Sequence, residues 1–149
     1  MNDIYPQWWD TTVTIFNKFT DKTTQIVRWY KTVVNGCFWK NTSAYLKVDK
    51  TILQANSTTC RIRENANFLE KAEWQNVPND AMSNYFTLSV GDIIIKGDVS
   101  DNIDEYITGY RSTDIIKKYE ELNRCIVVKN VSINVGGGRN NPHYFVSGE

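Results

Sequence analysis

Net charge of either sign is missing from this chain of 149 residues, in which 17 Lys and Arg stand against 17 Asp and Glu. A neutral sum creates no field that steers a protein onto nucleic acid or an anionic membrane, so any contact with DNA is expected to be loose. Histidine is nearly missing too. His143 stands alone, beside Pro142, and no serine or cysteine is tied to it by a local signature of nucleophilic catalysis. Cys37, Cys60 and Cys125 are odd in number, widely spaced and without a Cys-x-x-Cys pair, which argues against zinc and dithiol redox chemistry. Their apolar neighbours suit small buried hydrophobes in a reducing cytoplasm. No stretch approaches the ~20 apolar residues of a membrane span. The start, Met1 to Pro6, has neither the basic nor the apolar region of a signal peptide. Asn41, Asn56 and Asn130 each open an Asn-x-Ser/Thr triplet, which without secretion is a chance match.

Aromatic residues are plentiful: five Trp, eight Tyr and six Phe provide a core and a surplus for an interface. The length suits one domain, 1–149, burying roughly 70% of its extended-chain surface. The local signals are mostly those of strands. Thr11 to Phe19 is β-branched and aromatic, and the polar Thr20 to Thr24 reads as a turn. From Ile26 to Val34, Val27, Trp29 and Val33 alternate with Arg28, Tyr30 and Thr32, the period that sets one group on a core. Asn35-Gly36 then predicts a type I′ hairpin whose second arm starts at Cys37 and brings Trp39 opposite Trp29. Ile93-Ile-Ile95 predicts a strand buried on both faces. Arg111 to Asp114 carries helix-start chemistry, and Ile115, Ile116, Tyr119 and Leu122 follow at helical spacing. Arg124 to Asn134, Gly136-Gly-Gly138 and Tyr144 to Val146 predict a closing hairpin. The expected fold is mainly β, a small antiparallel barrel or sandwich with one short helix in the C-terminal half. Residues 48–80, weakly patterned except for a short strand at Thr59 to Arg63, are expected to form a long inserted loop or arm.

No side-chain constellation for chemistry emerges, so no catalytic residue, cofactor or metal is expected. Asp98, Asp101, Asp104 and Glu105 lack the spacing of a calcium loop and read as solvated. The glycine triplet is followed by a strand and by no Lys-Ser/Thr, unlike a phosphate-binding loop. Binding remains. Trp8 and Trp9 precede the first strand, where two indoles either anchor a neighbouring subunit or pack on the protein's own barrel. Tyr5, Trp8, Trp9, Arg61, Arg63 and Trp74 are the interface candidates.

Tyr5-Pro6 with Val13 to Asn17, the segment Trp29-Tyr30 to Trp39, Leu88 to Gly97, Asp104-Glu105, and the end from Val127 through Pro142-His143 to Gly148 together carry a likeness. The chain resembles small minor capsid or head-tail connector proteins of tailed phages and prophages of Gram-positive bacteria. That resemblance implies a structural virion protein of the neck, a head-closure or stopper subunit forming a ring between portal or adaptor above and tail terminator or tail tube below. Packaged DNA would pass through without specific binding. A tail terminator or another tail-proximal ring protein would share these features. A small OB-like nucleic-acid-binding barrel, using Arg61 and Arg63 beside aromatics, is the further alternative.

Overall fold

The computed structural model describes residues 5–21, 23–48, 51–106, 108–120, 122, 124–135 and 142–148, with the backbone alone at 42–48, 51–56 and 79. Six strands form a closed barrel: β1 (Thr11–Thr20), β2 (Val27–Val48), β3 (Thr51–Arg63), β4 (Ile93–Lys96), β5 (Cys125–Asn134) and β6 (His143–Gly148). Their order around the barrel is β1-β2-β3-β6-β5-β4, and every neighbouring pair is antiparallel. Two three-stranded meanders, β1-β2-β3 and β4-β5-β6, are thus joined along both edges, so closure satisfies the strand edges of the barrel wall. The glycine turn expected at 136–138 lies outside the described residues.

Alternation along each strand sends one set of side chains inward. Val13 and Ile15, Cys60 and Ile62, Ile126 and Val128, and Tyr144 and Val146 fill the interior with Ile94 between them. The other set of the β1-β4-β5 wall, Phe16, Ile93, Ile95 and Cys125, faces outward and is covered by Val99, Ile103, Ile115 and Tyr119. Ile93 to Ile95 are therefore buried on both faces, as their consecutive spacing predicts. The outer cover includes α2 (Ser112–Glu120), whose start is closed by the Arg111 N–H donating to the Asp114 carboxylate at 3.0 Å. Leu122 lies beyond the end of this helix and is 58% exposed, so it does not extend the buried stripe.

Asn35-Gly36 makes no hairpin. β2 runs straight through it as one strand, paired with β1 up to Cys37 and with β3 from Phe38. Gly36 has φ +73, and the register with β1 shifts between Thr11 and Val13, so the positive φ serves a bulge where β2 changes partner. Turn and bulge use the same glycine chemistry; the difference is that the Arg63 Nε donates to the Gly36 carbonyl at 2.8 Å and ties the bulge to β3. Trp29 and Trp39 consequently lie on one strand, Trp29 against the outer cluster and Trp39 against the interior. The phase of the expected alternation also changes, with Val34 buried and Val33 exposed. The actual β1-β2 turn is Asp21 to Ile26, where the Asp21 carboxylate accepts the N–H groups of Thr23 and Thr24 at 2.8 and 3.2 Å.

The segment expected as a loop at 48–80 divides in two. Its first part is β3, and its second joins the connection 64–92, which includes α1 (Lys71–Trp74) and a 3₁₀ turn (Asn79–Asn84). That connection crosses the end of the barrel shared by Arg63 and Ile93, and sends Phe86 and Leu88 into the interior. Phe68 follows them, stacked on Tyr144 at 4.1 Å between centroids. Asp92 fastens the far end of the connection: buried, it accepts from the Lys18 N–H, Asn17 Nδ2, and the N–H and hydroxyl of Ser89 at 2.9–3.1 Å. Burial raises its carboxyl above the usual range, and those donors oppose the rise.

Candidate interaction surface

Of the six residues singled out from sequence, three converge. Tyr5, Trp9 and Arg63 form a clasp in which the N-terminal segment lies on the β2-β3-β6 wall. A turn closed by the Trp9 N–H on the Pro6 carbonyl aims the Trp9 ring at Phe38, 6.2 Å away, and at the edge of His143, 5.7 Å away. Arg63 lies 4.8 Å over the Tyr5 ring and donates through Nη2 to the Trp9 carbonyl at 3.0 Å. The Tyr5 hydroxyl donates to the Pro142 carbonyl and accepts the Glu64 N–H. Trp9 is buried by this clasp, whereas its neighbour Trp8 is 67% exposed. The tandem indoles thus split: Trp9 packs on the protein's own barrel, and Trp8 presents its ring outward.

The other candidates separate. Arg61 is exposed on the outside of β3, level with Phe38 and Phe145, and its guanidinium lies 5.6 Å over the Phe145 ring. Trp74 is fully buried, set edge-on against Phe19 and Tyr30 at 5.9 and 5.8 Å, and offers no surface to a partner. Its apolar size is used to seat the 64–92 connection on the β1-β2 hairpin.

Within the acidic stretch Asp98 is exposed, as expected, but Asp101 and Glu105 have structural roles. Asp101 accepts from the hydroxyls of Tyr110 and Tyr119 at 2.8 and 2.6 Å and from Lys118 Nζ at 2.9 Å. Burial pulls its carboxyl up, but the bonds from Tyr119, Lys118 and Tyr110 outweigh it and hold it at about 2. Burial and the bond to Asp101 push Tyr110 up to about 12. Glu105 accepts from Ser112 at the start of α2. Among the described residues, no three His, Cys, Asp or Glu are grouped as metal ligands, and no helix is long and apolar enough to cross a membrane. All three cysteines are buried; burial, then the nearby Glu120, pushes Cys125 up to about 12, and Cys60 is raised by its thiol contact with Cys37 and by burial.

Two surface features escape sequence reasoning. One is a groove of about 430 Å³ between the start of β2 and the 102–106 loop, walled by Trp29, Tyr30, Tyr106, Arg28, Asp104 and Glu105. Its walls come from segments far apart in the chain, so no local pattern announces it. The second is a β-ribbon. β3 pairs with β6 from Thr58 to Arg63, and β2 pairs with β1 only as far as Cys37. Beyond those points β2 and β3 continue together for seven pairs, Thr42↔Ser57 through Val48↔Thr51, with no other strand beside them among the described residues. At about 3.3 Å per residue the ribbon extends roughly 20 Å from the wall.

The sequence model of a family of unknown function, DUF6751, matches residues 8–149, and the chain belongs to that family. No curated protein and no solved structure matches it.

Proposed function

We propose, for this member of the family, the role of a structural subunit of a tailed-phage neck: a head-closure or connector protein that assembles as a ring between portal or adaptor and tail, retains packaged DNA and offers the tail a docking surface. One observation carries the reading most: a barrel whose wall is closed on itself extends a two-stranded ribbon roughly 20 Å past its last barrel pairing. A closed wall has no strand edge to give, so the ribbon is the element that can reach a neighbour by strand pairing. Charge balance supports a conduit for DNA, because each cation placed on a phosphate adds salt-dependent affinity and would retard passage. The exposed Trp8 supplies an aromatic anchor of the kind that dominates subunit contacts.

The test is to delete the gene from a phage or prophage that carries it and to locate the chain in purified particles. The expected result is DNA-leaking heads beside unattached tails, with the chain recovered from the neck of complete virions. Normal virions from the deletion, or particles without the chain at the junction, remove the reading. A second reading, a nucleic-acid-binding barrel, is favoured by Arg61 lying exposed over Phe145. Salt-sensitive binding of single-stranded DNA that is lost in Arg61→Ala would support it over the neck role.

A further inference from the structure

The ribbon poses a definite chemical problem. Along 42–48 of β2 and 51–57 of β3, each strand has its partner on one side and, among the described residues, no strand on the other. The two open edges are not equivalent: β2 runs toward the ribbon tip and β3 runs back from it. Edges are usually blunted by proline, bulges or inward charge. Here residues 41–58 contain neither proline nor glycine, the two strand segments carry Lys47 as their one charge, and the register runs unshifted from Phe38↔Arg61 to Val48↔Thr51. An isolated two-stranded ribbon is at best marginally stable in water, so such an element gains from further pairing.

We propose that ribbons of adjacent copies of this chain pair edge to edge, the β3 edge of one copy on the β2 edge of the next, so that n copies close an antiparallel ring of 2n strands. This rests on the ring reading above and names the contact that makes the ring. Pairing like edges about a two-fold axis satisfies one edge of each copy and leaves the other open. Head-to-tail pairing satisfies both in every copy. The strand directions agree: rotation about an axis along the ribbons sets β2, β3, β2, β3 in alternating directions, which is the antiparallel order. The strand segments carry one charge per copy, so repeating the ribbon around a ring brings little like-charge repulsion.

Proline can block one edge at a time. Adjacent residues of an antiparallel strand turn their N–H groups to opposite sides, so of Ser43→Pro and Ala44→Pro one removes a β2-β3 bond and the other an open-edge donor. Gln54→Pro and Ala55→Pro divide β3 in the same way. The variant of each couple that keeps slow amide exchange along the β2-β3 pairs of the ribbon is the edge variant. Native mass spectrometry and sedimentation should show wild-type protein as one closed oligomer and each edge variant alone as a monomer. An equimolar mixture of the two edge variants should give a heterodimer, since one open β3 edge and one open β2 edge remain. A monomeric wild type, edge variants that still build the wild-type oligomer, or a homodimer of either edge variant would overturn the proposal. The neck role fails separately: the expected oligomers from a chain that is absent from virions leave this contact standing, whereas a monomer found at the neck removes the contact alone.

Discussion

Replacing Phe86 with alanine empties the middle of the interior, where its ring is fully buried and meets Phe68 edge-on at 5.7 Å. The expected cost is about 3–5 kcal/mol in denaturant unfolding. Gly148 is constrained differently. A Cβ there would stand 2.0 Å from the Val127 carbonyl, so Gly148→Ala must push β6 off β5. About 1–3 kcal/mol is expected, together with faster amide exchange at Val128 and Val146. The thiols give a third check. With Cys37, Cys60 and Cys125 all buried and the last pushed up to about 12, a disulfide reagent at pH 8 should react only at the rate of unfolding. Asp101 sets a pH dependence. Its folded carboxyl, at about 2, lies below its unfolded value, so its contribution is present above about pH 4 and is lost as pH falls toward 2. Allowing for solvent screening, the loss is roughly 1–2 kcal/mol, and Asp101→Asn should flatten that part of the acid limb. Asp92 works in the opposite sense: raised by burial, it favours the fold most below the unfolded carboxylate value and less as pH rises through its own.

At the scale of elements, excising the ribbon tests the proposed assembly separately from folding. All the described core residues lie outside 42–57. Joining Asn41 to Thr58 by a two-residue Asn-Gly turn should therefore leave the melting temperature within about 3 °C of wild type, measured by circular dichroism, while removing self-association. The strands around the core were legible because one face of each is buried, and burial enforces a period of two; Ile93 to Ile95 gave up the period and thereby announced burial on both sides. Asn35-Gly36 misled for a specific reason. Positive φ is required by a hairpin and by a bulge alike, and the Arg63 side chain that decides between them comes from 27 residues further on. The stretch 48–80 was opaque because the sequence of the ribbon half of β3 lacks a clear period, and the connection after it packs by isolated anchors, Phe68 and Trp74, without a repeat. Among the interface candidates, the exposure of Trp8 and Arg61 was recoverable from residue type. The burial of Trp74 was not, because aromatic surplus looks the same whether it is buried in a core or held out to a partner.

For the molecule as a whole, closure and extension are divided between two parts of the same chain. The barrel fills its own interior and covers its β1-β4-β5 wall with a second apolar layer that includes α2. Open strand edges, among the described residues, lie along the ribbon. A protein with this division can fold first and assemble later, since a surface used in the second step is not part of the core formed in the first.

The single strand β2 connects the two parts, passing through the bulge at Gly36. It spans 22 residues, roughly 70 Å if straight, and nine of its residues pair with β1 behind the ribbon. A pull on the ribbon tip is therefore carried along the strand axis and spreads over all nine pairs as shear, instead of peeling them apart in turn. For a subunit loaded through its ribbon, that geometry makes the arm a tether whose anchorage resists mechanical load collectively.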